Sequence, residues 1–289
     1  MYKIVSKKFL NSNVFQMDIH APLVAKKAKA GEFIILRTDD DGERVPFTIN
    51  KSNIKSGNVR IVVQTVGATT KRLSLMNVGD YLSDFVGPLG NPTDISNIKN
   101  ACVIGGGLGT AIAMPVANTL FNNGAKVTSI LGFKNKELVI LEKEFKKFSN
   151  KLIITTDDGS YKEKGNVTTP LDNLLKNGNK FDKIFAIGPL MMMKYVVLTA
   201  KKYNIPVTVS MNPIMIDGTG MCGGCRITLN SNNKKITKFA CIDGPDFNGY
   251  EVDFDELISR NKIYLKQEKH AYEKTCNLLK RGNDYDNTK

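Results

Sequence analysis

The sequence predicts a multidomain β + α/β chain: an antiparallel β-barrel over residues 1–98, a parallel-sheet nucleotide-binding domain over 99–210, and a cysteine-bearing C-terminal segment over 211–289. Three observations carry this. The first hundred residues hold short apolar or alternating runs parted by turn residues. From Asn100 onward strand-like and helix-like runs alternate, with a glycine cluster between the first strand and the first helix. Between Ile216 and Arg226, two cysteines stand among four glycines.

Composition narrows the possibilities. A chain of 289 residues has room for two compact domains and an appendage. Its 42% hydrophobic and 24% charged content is that of an ordinary globular protein. The formal charge of +13 is spread along the chain without an arginine- or aromatic-rich block. A solvated surface accounts for it, an anionic protein partner comes second, and no nucleic acid is implied. Five cysteines, three of them clustered, do not make a disulfide framework and fit a reducing cytoplasm. Met1 to Lys8 lacks the apolar region of a signal peptide. The apolar run Ala101 to Ala117 falls short of a membrane span and contains four glycines and a proline, so no membrane span is expected.

In the first hundred residues the expected strands are Tyr2–Val5, Val14–Ile19, Phe33–Leu36, Val59–Val66 and Tyr81–Val86, the pattern of an antiparallel barrel. Two features stand out. Arg44-Val45-Pro46-Phe47-Thr48 opens a strand, and a guanidinium is well matched to phosphate oxygens. The motif resembles the R-x-Y-S/T of the ferredoxin reductase superfamily, in which the arginine pairs with the FAD pyrophosphate, the tyrosine stacks on the flavin and the hydroxyl approaches N5. Here Pro46 occupies the tyrosine position and Thr48 comes one residue later, an R-x-P-x-T variant. The second feature is Val66-Gly67-Ala68-Thr69-Thr70, where Val66, Gly67, Thr69 and Thr70 form either a phosphate-receiving helix N-terminus or a plain N-cap. Gly87-Pro88-Leu89-Gly90 ends the barrel and is similar to a turn of that superfamily.

In the middle of the chain the strand Ala101–Ile104 runs into Gly105-Gly106-Gly107-Leu108-Gly109-Thr110, followed by a helix over Ala113–Asn122. Glycines at that junction let backbone approach a pyrophosphate at the helix N-terminus. A strand over Lys126–Leu131, a helix over Leu138–Phe148, and strands over Leu152–Thr156 and Phe181–Ile187 follow. No acidic residue ends the second strand, so the usual acceptor for a ribose 2′-hydroxyl is absent, and Lys134 or Lys136 is suited to a 2′-phosphate. The loop containing Asp157 and Asp158 resembles the superfamily's loop beside the nucleotide, and Gly188-Pro189 resembles its turn near the nicotinamide. Met191–Met193 reads as helix packing, and Cys102 as a small buried apolar residue.

Cys222, Cys225 and Cys241 have spacing that suits zinc or an iron–sulfur cluster, both of which want four ligands. The fourth position is open: Asp217 lies five residues before Cys222, while His270 or Cys276 would complete a zinc site. The run Asp217 to Cys225, with Cys241-Ile242-Asp243-Gly244-Pro245 after it, resembles the [2Fe–2S] segment of two related flavoprotein subunits. One is the electron-transfer subunit of dihydroorotate dehydrogenase B, with C-G-x-G-x-C-x-G-C and a later C-x-D-G-P. The other is the small subunit of NADH-dependent reduced ferredoxin:NADP oxidoreductase, also called sulfide dehydrogenase, where aspartate replaces the first cysteine. Asp217 makes the second resemblance the closer.

The resemblance implies that Asp217, Cys222, Cys225 and Cys241 hold a [2Fe–2S] cluster, that the barrel holds FAD, and that the middle domain holds NAD(P). It implies an oxidoreductase subunit without a catalytic acid or base, paired with a larger flavoprotein subunit that carries FAD and [4Fe–4S] clusters and deals with ferredoxin through the complex. The readings left beside it are a dihydroorotate dehydrogenase electron-transfer subunit and a zinc-stabilised nucleotide-binding protein without enzymatic activity. After the cysteines, Val252–Arg260 and Tyr264–Lys280 have helical patterns, the latter with a thin stripe of Tyr264, Ala271, Tyr272, Cys276 and Leu279.

Overall fold

The computed structural model of the chain describes the backbone of residues 1–286 and side chains through residue 275. The first ninety residues form β1 (Tyr2–Phe9), β2 (Val14–His20), α1 (Pro22–Lys27), β3 (Phe33–Arg37), β4 (Val45–Thr48), β5 (Lys51–Asn53), β6 (Asn58–Gln64), α2 (Ala68–Leu75), β7 (Tyr81–Leu82) and β8 (Asp84–Leu89). They make two antiparallel sheets, β5-β6-β2-β1-β7 and β4-β3-β8. Period-two alternation turns Phe15, Met17 and Ile19 of β2 and Val59, Ile61 and Val63 of β6 inward, against Ile34 and Leu36 of β3. On the outer face the directly opposed pair Asp18 and Arg60 forms two bonds of 2.7 and 2.8 Å, which helps fix the β2–β6 register.

The second half contains β9 (Asn100–Gly106), α3 (Gly109–Asn122), β10 (Lys126–Phe133), α4 (Glu142–Phe145), β11 (Lys151–Thr156), β12 (Glu163–Lys164), α5 (Thr168–Lys176), β13 (Lys183–Ile187), α6 (Leu190–Lys201) and β14 (Val207–Ser210). It is followed by β15 (Arg226–Ser231), β16 (Lys234–Phe239), β17 (Asp246–Asn248), α7 (Phe254–Arg260) and α8 (Leu265–Asp286). The main sheet runs β12-β11-β10-β9-β13-β14-β17, parallel except for β17. Strand order reverses around β9, so the crevice beyond the ends of β9 and β13 is where such a sheet takes a ligand. The expected fold class is borne out.

Three local expectations differ. The helix over Leu138–Phe148 is only the single turn α4, because Val139 is extended and Leu141 takes the left-handed conformation at φ 58°. The run Tyr81–Val86 breaks into β7 and β8. The β15–β16 hairpin was not expected; Asn232 and Asn233, with φ of 50° and 60°, supply its two-residue turn. The tail is helical as read, with α8 packed on α2; the side chains of Cys276 and Leu279 lie outside the described residues. Cys102 is fully buried in β9, and burial pushes its thiol pKa up.

The cysteine-bearing segment is tied to both halves. Cys225, Ile227, Leu229 and Cys241 share one core with Ile184 and Val207 of the main sheet and with Phe33 and Ile35 of the barrel. Asp246 of β17 accepts from the Thr93 hydroxyl at 2.6 Å, on the connection between the halves, and is hydrogen-bonded by Ser210 at the end of β14. Burial pushes the Asp246 pKa above the usual carboxylate value. The folded chain therefore holds this proton in a window from about pH 4 up to the raised value, and stability falls as pH rises through it. Asp246→Asn keeps an acceptor for Thr93 and removes the titration. Thermal denaturation across that window is expected to show a flatter slope for the variant, with a neutral-pH melting temperature no lower than that of the unaltered chain.

Candidate functional site

A cleft of about 910 Å³ lies between the barrel and the end of the parallel sheet. Its barrel wall includes Pro46, Phe47 and Thr48 of β4, with Val66 and Thr70; its floor is Gly106, Gly107, Leu108 and Gly109, with Gly188 and Pro189 against Gly106 and with Asp157 also in the lining. Twelve of the eighteen residues predicted to contact a cofactor thus line one concavity, of a size usual for cofactor sites (about 300–1,000 Å³). Two glycines of this loop are required for a steric reason. A Cβ on Gly109 would stand 2.3 Å from the Ile187 carbonyl oxygen, and one on Gly105 would stand 2.7 Å from Thr110 Cα. The loop leads into a helix of 14 residues, whose free N–H groups suit an anion.

The other six predicted contacts lie outside the lining. Gly105 and Thr110 sit behind the loop, Thr110 with a buried hydroxyl that has no partner among the described residues. At α2 the capping reading is visible: Thr70 Oγ1 accepts from the N–H groups of Val66 and Gly67 at 3.0 and 2.9 Å. Thr69 donates to Glu43 at 2.7 Å. Asp158 caps its own turn, and the hydroxyl and N–H of Ser160 hold its pKa below the usual value. Arg44 turns toward the cysteine loop, where its guanidinium donates to the carbonyls of Ile216 and Asp217 at 3.2 and 3.4 Å. Lys134 lines the cleft, whereas the Lys136 ammonium stands 5.9 Å from the centre of the Tyr161 ring. Residues absent from the sequence-based list also line the cleft, among them Asn50, Gln64, Ser210, Met211 and Asn212. Of the three methionines read as helix packing, Met193 is buried in the core, whereas Met192 lines the cleft and Met191 is exposed.

The cysteines come together through the hairpin. Cys225 enters β15 and Cys241 follows β16; Ala240 N–H donates to the Cys225 carbonyl at 3.0 Å, and the two sulfurs stand 3.2 Å apart. Both are buried, and burial, reinforced by Cys225, pushes the Cys241 thiol up to about 12. A metal binding here would have to displace the proton. The other pair is Asp217 and Cys222. The Asp217 carboxylate accepts from the N–H groups of Thr219 and Cys222 at 2.7 and 2.6 Å, and the Thr219 contact is the main cause of its lowered pKa. Gly218, at φ 75°, lets this loop lie on the barrel; a Cβ there would stand 2.4 Å from Ile35 Cδ1. Asn91, just past the barrel's last strand, donates to Gly244 and Ile242 carbonyls at 2.7 and 2.8 Å.

This donor set fits a two-iron group. Among the described residues, no three His, Cys, Asp or Glu side chains converge on one point, as a mononuclear tetrahedral zinc site would need. A [2Fe–2S] cluster instead takes two ligands on each iron, and the donors here fall into two pairs. Backbone N–H groups of Gly224 and Cys241 approach the sulfurs of Cys222 and Cys225, both at 3.4 Å. His270 lies on α8, and the Cys276 side chain is outside the described residues.

Comparison with known proteins gives a consistent picture. Residues 212–253 match the iron-sulfur cluster binding domain of dihydroorotate dehydrogenase B. A dihydroorotate dehydrogenase B (NAD(+)) electron transfer subunit homolog from Thermotoga maritima is 45% identical, over 94% of each chain. The dihydroorotate dehydrogenase B (NAD(+)) electron transfer subunit of Streptococcus pneumoniae is 32% identical, over 85% of this chain and 97% of that one. Among solved structures, a chain of the NADH-dependent reduced ferredoxin-NADP oxidoreductase superposes with a TM-score of 0.88 at 44% identity, covering 95% of this chain and 97% of that one.

Proposed function

We propose that this chain, which belongs to the family of dihydroorotate dehydrogenase B-type electron-transfer subunits, works as the small flavoprotein subunit of a ferredoxin:NADP oxidoreductase. In this reading residues 1–98 hold FAD, 99–210 hold NAD(P), and 211–289 carry the [2Fe–2S] cluster on Asp217, Cys222, Cys225 and Cys241. The observation that carries it is the docking of the paired donor loop on the same β4-β3-β8 sheet that walls the cleft. A flavin held by this wall would supply two-electron exchange with a nicotinamide and one-electron exchange with a cluster on Asp217, Cys222, Cys225 and Cys241.

The chain's own residues bind and orient. The N-terminus of α3 and the glycine floor would hold the pyridine nucleotide's pyrophosphate, with Asp157, Gly188 and Pro189 beside it. Pro46, Phe47 and Thr48 would flank the flavin and the α2 N-terminus would face its phosphates, while Arg44 ties this wall to the cluster loop through the Ile216 and Asp217 carbonyls. No side-chain acid or base is required for hydride transfer itself. Ile216, Met221 and Ile242, exposed by 55, 89 and 49%, rim the cluster loop and offer an apolar seat for a larger subunit. We propose that this partner carries FAD and [4Fe–4S] clusters and passes electrons to or from ferredoxin, and that the complex works in the cytoplasm. Among the described residues no helix is long and apolar enough to cross a membrane.

Asp217 favours the ferredoxin:NADP branch over the dihydroorotate branch, because a carboxylate stands where the latter's pattern has cysteine. Asp217→Cys is expected to retain the cluster while changing its EPR signal and its potential; an unchanged spectrum would remove Asp217 from the ligands. The function itself is tested by visible spectra of anaerobic protein before and after NADH or NADPH. Bleaching of flavin and iron–sulfur bands is expected, and a colourless zinc protein inert to both nucleotides would refute it.

A further inference from the structure

One buried hydrogen bond joins the two walls of the cleft, and its cause lies in α3. Pro115 sits in the second turn of that helix and has no N–H, so the carbonyl four residues earlier, on Ala111, lacks its intrahelical donor. Asn50 supplies one from the barrel: its Nδ2 donates to the Ala111 oxygen at 2.7 Å. Asn50 is 4% exposed and held by its own backbone, whose N–H donates to the Arg60 carbonyl of β6 at 2.9 Å. It lies two residues after Thr48 of the flavin wall, and Ala111 lies two residues after Gly109 of the glycine floor. Its Oδ1 accepts nothing among the described residues, which leaves one bond to fix the side chain's direction.

We propose that Asn50 is a positioning residue for hydride transfer. By satisfying the carbonyl that Pro115 leaves open, it sets the separation and tilt of barrel and α3, and hence the distance between flavin and nicotinamide. The proposal rests on the cleft's reading as a flavin and pyridine-nucleotide site. Apolar contact across the same junction would resist opening without fixing direction, whereas a hydrogen bond constrains both distance and angle. Transfer between two separately held groups is steeply sensitive to such placement, with a misplacement of about 1 Å costing on the order of a hundredfold in rate.

The test is stopped-flow reduction of the bound flavin by saturating NADH or NADPH in the full chain, in Asn50→Leu, Pro115→Ala and the double variant. Leucine keeps the branched shape and the number of heavy atoms and removes the donor. Alanine at 115 restores an N–H to the Ala111 carbonyl and so competes with Asn50. Asn50→Leu is expected to slow flavin reduction about tenfold to a hundredfold, with flavin content, iron content, nucleotide dissociation constant and flavin potential unchanged. Pro115→Ala is expected to reproduce part of that loss, and Asn50→Leu to add little in its background. A rate within twofold of the unaltered chain, a loss that tracks departing flavin, or additive effects in the double variant would overturn the assignment. Flavin content and reducibility of the unaltered chain are read first; their absence would remove the functional reading itself, while their presence with an unaltered Asn50→Leu rate would remove only the role of Asn50.

Discussion

Gly109→Ala is expected to weaken pyridine-nucleotide binding severely while flavin and iron remain. The added methyl carbon would stand 2.3 Å from the Ile187 carbonyl oxygen and 2.6 Å from Gly188 Cα, both backbone atoms of the neighbouring strand end. No rotamer relieves that contact, so α3 must move off β13 and carry its N-terminal N–H groups out of line with the pyrophosphate site. The other glycines of the loop calibrate this. A Cβ on Gly106 would meet the Met192 sulfur at 2.3 Å, near the end of a flexible side chain that can swing aside. Gly107 has open space but a φ of 54°, so alanine there costs about 1–2 kcal/mol of backbone strain without a collision. Calorimetric titration with NADH and NADPH is expected to show a loss on the order of a hundredfold for Gly109→Ala, or about 2.8 kcal/mol. Gly106→Ala and Gly107→Ala are expected to lose much less. Equal affinities for all three variants would mean that the nucleotide does not use this floor.

Cys241→Ser is expected to remove the cluster and leave the flavin. The Cys241 sulfur is buried and paired with Cys225 at 3.2 Å, so solvent has little access to take its place. A serine hydroxyl gives up its proton far less readily than a thiol and is a harder donor, so one iron would keep a single thiolate ligand. Iron and inorganic sulfide should both disappear from Cys241→Ser, together with the EPR signal of the reduced protein, while FAD and its reduction by nucleotide persist. Cys222→Ser should be milder because Cys222 is exposed, where water or a shifted loop residue can approach. Cys102→Ser is the control: that cysteine lies inside β9, and its loss should cost packing and no iron. Iron retained at full level in Cys241→Ser would remove this residue from the ligands.

What the sequence made legible was local chemistry. The glycine run after β9 and the cysteines around the β15–β16 hairpin each announce their chemistry within a few residues. The alternation of the barrel strands and of the parallel sheet was equally direct. What stayed hidden depends on residues far apart. Nothing near Asn50 reveals that Pro115, on another domain, leaves a carbonyl for it to fill. Nothing near Arg44 shows that its guanidinium reaches the carbonyl of Asp217, at a separation of 173 residues. The helix expected over Leu138–Phe148 failed at an extended Val139 and a left-handed Leu141, neither of which composition marks. The hairpin was missed despite a readable signal, Asn232-Asn233, because glycines and cysteines dominated that stretch.

The claim beneath all of this is that one chain holds a flavin and a two-iron cluster side by side and fills both with electrons from a pyridine nucleotide. Anaerobic titration of the purified chain with NADH or NADPH, followed by EPR and by flavin, iron and sulfide assay, tests it directly. The account predicts one bound FAD per chain with two irons and two sulfides, and a reduced-cluster signal that grows as nucleotide is added. Protein with its full complement of folded structure but neither iron nor flavin, or with a cluster that nucleotide never reduces through the flavin, would contradict it.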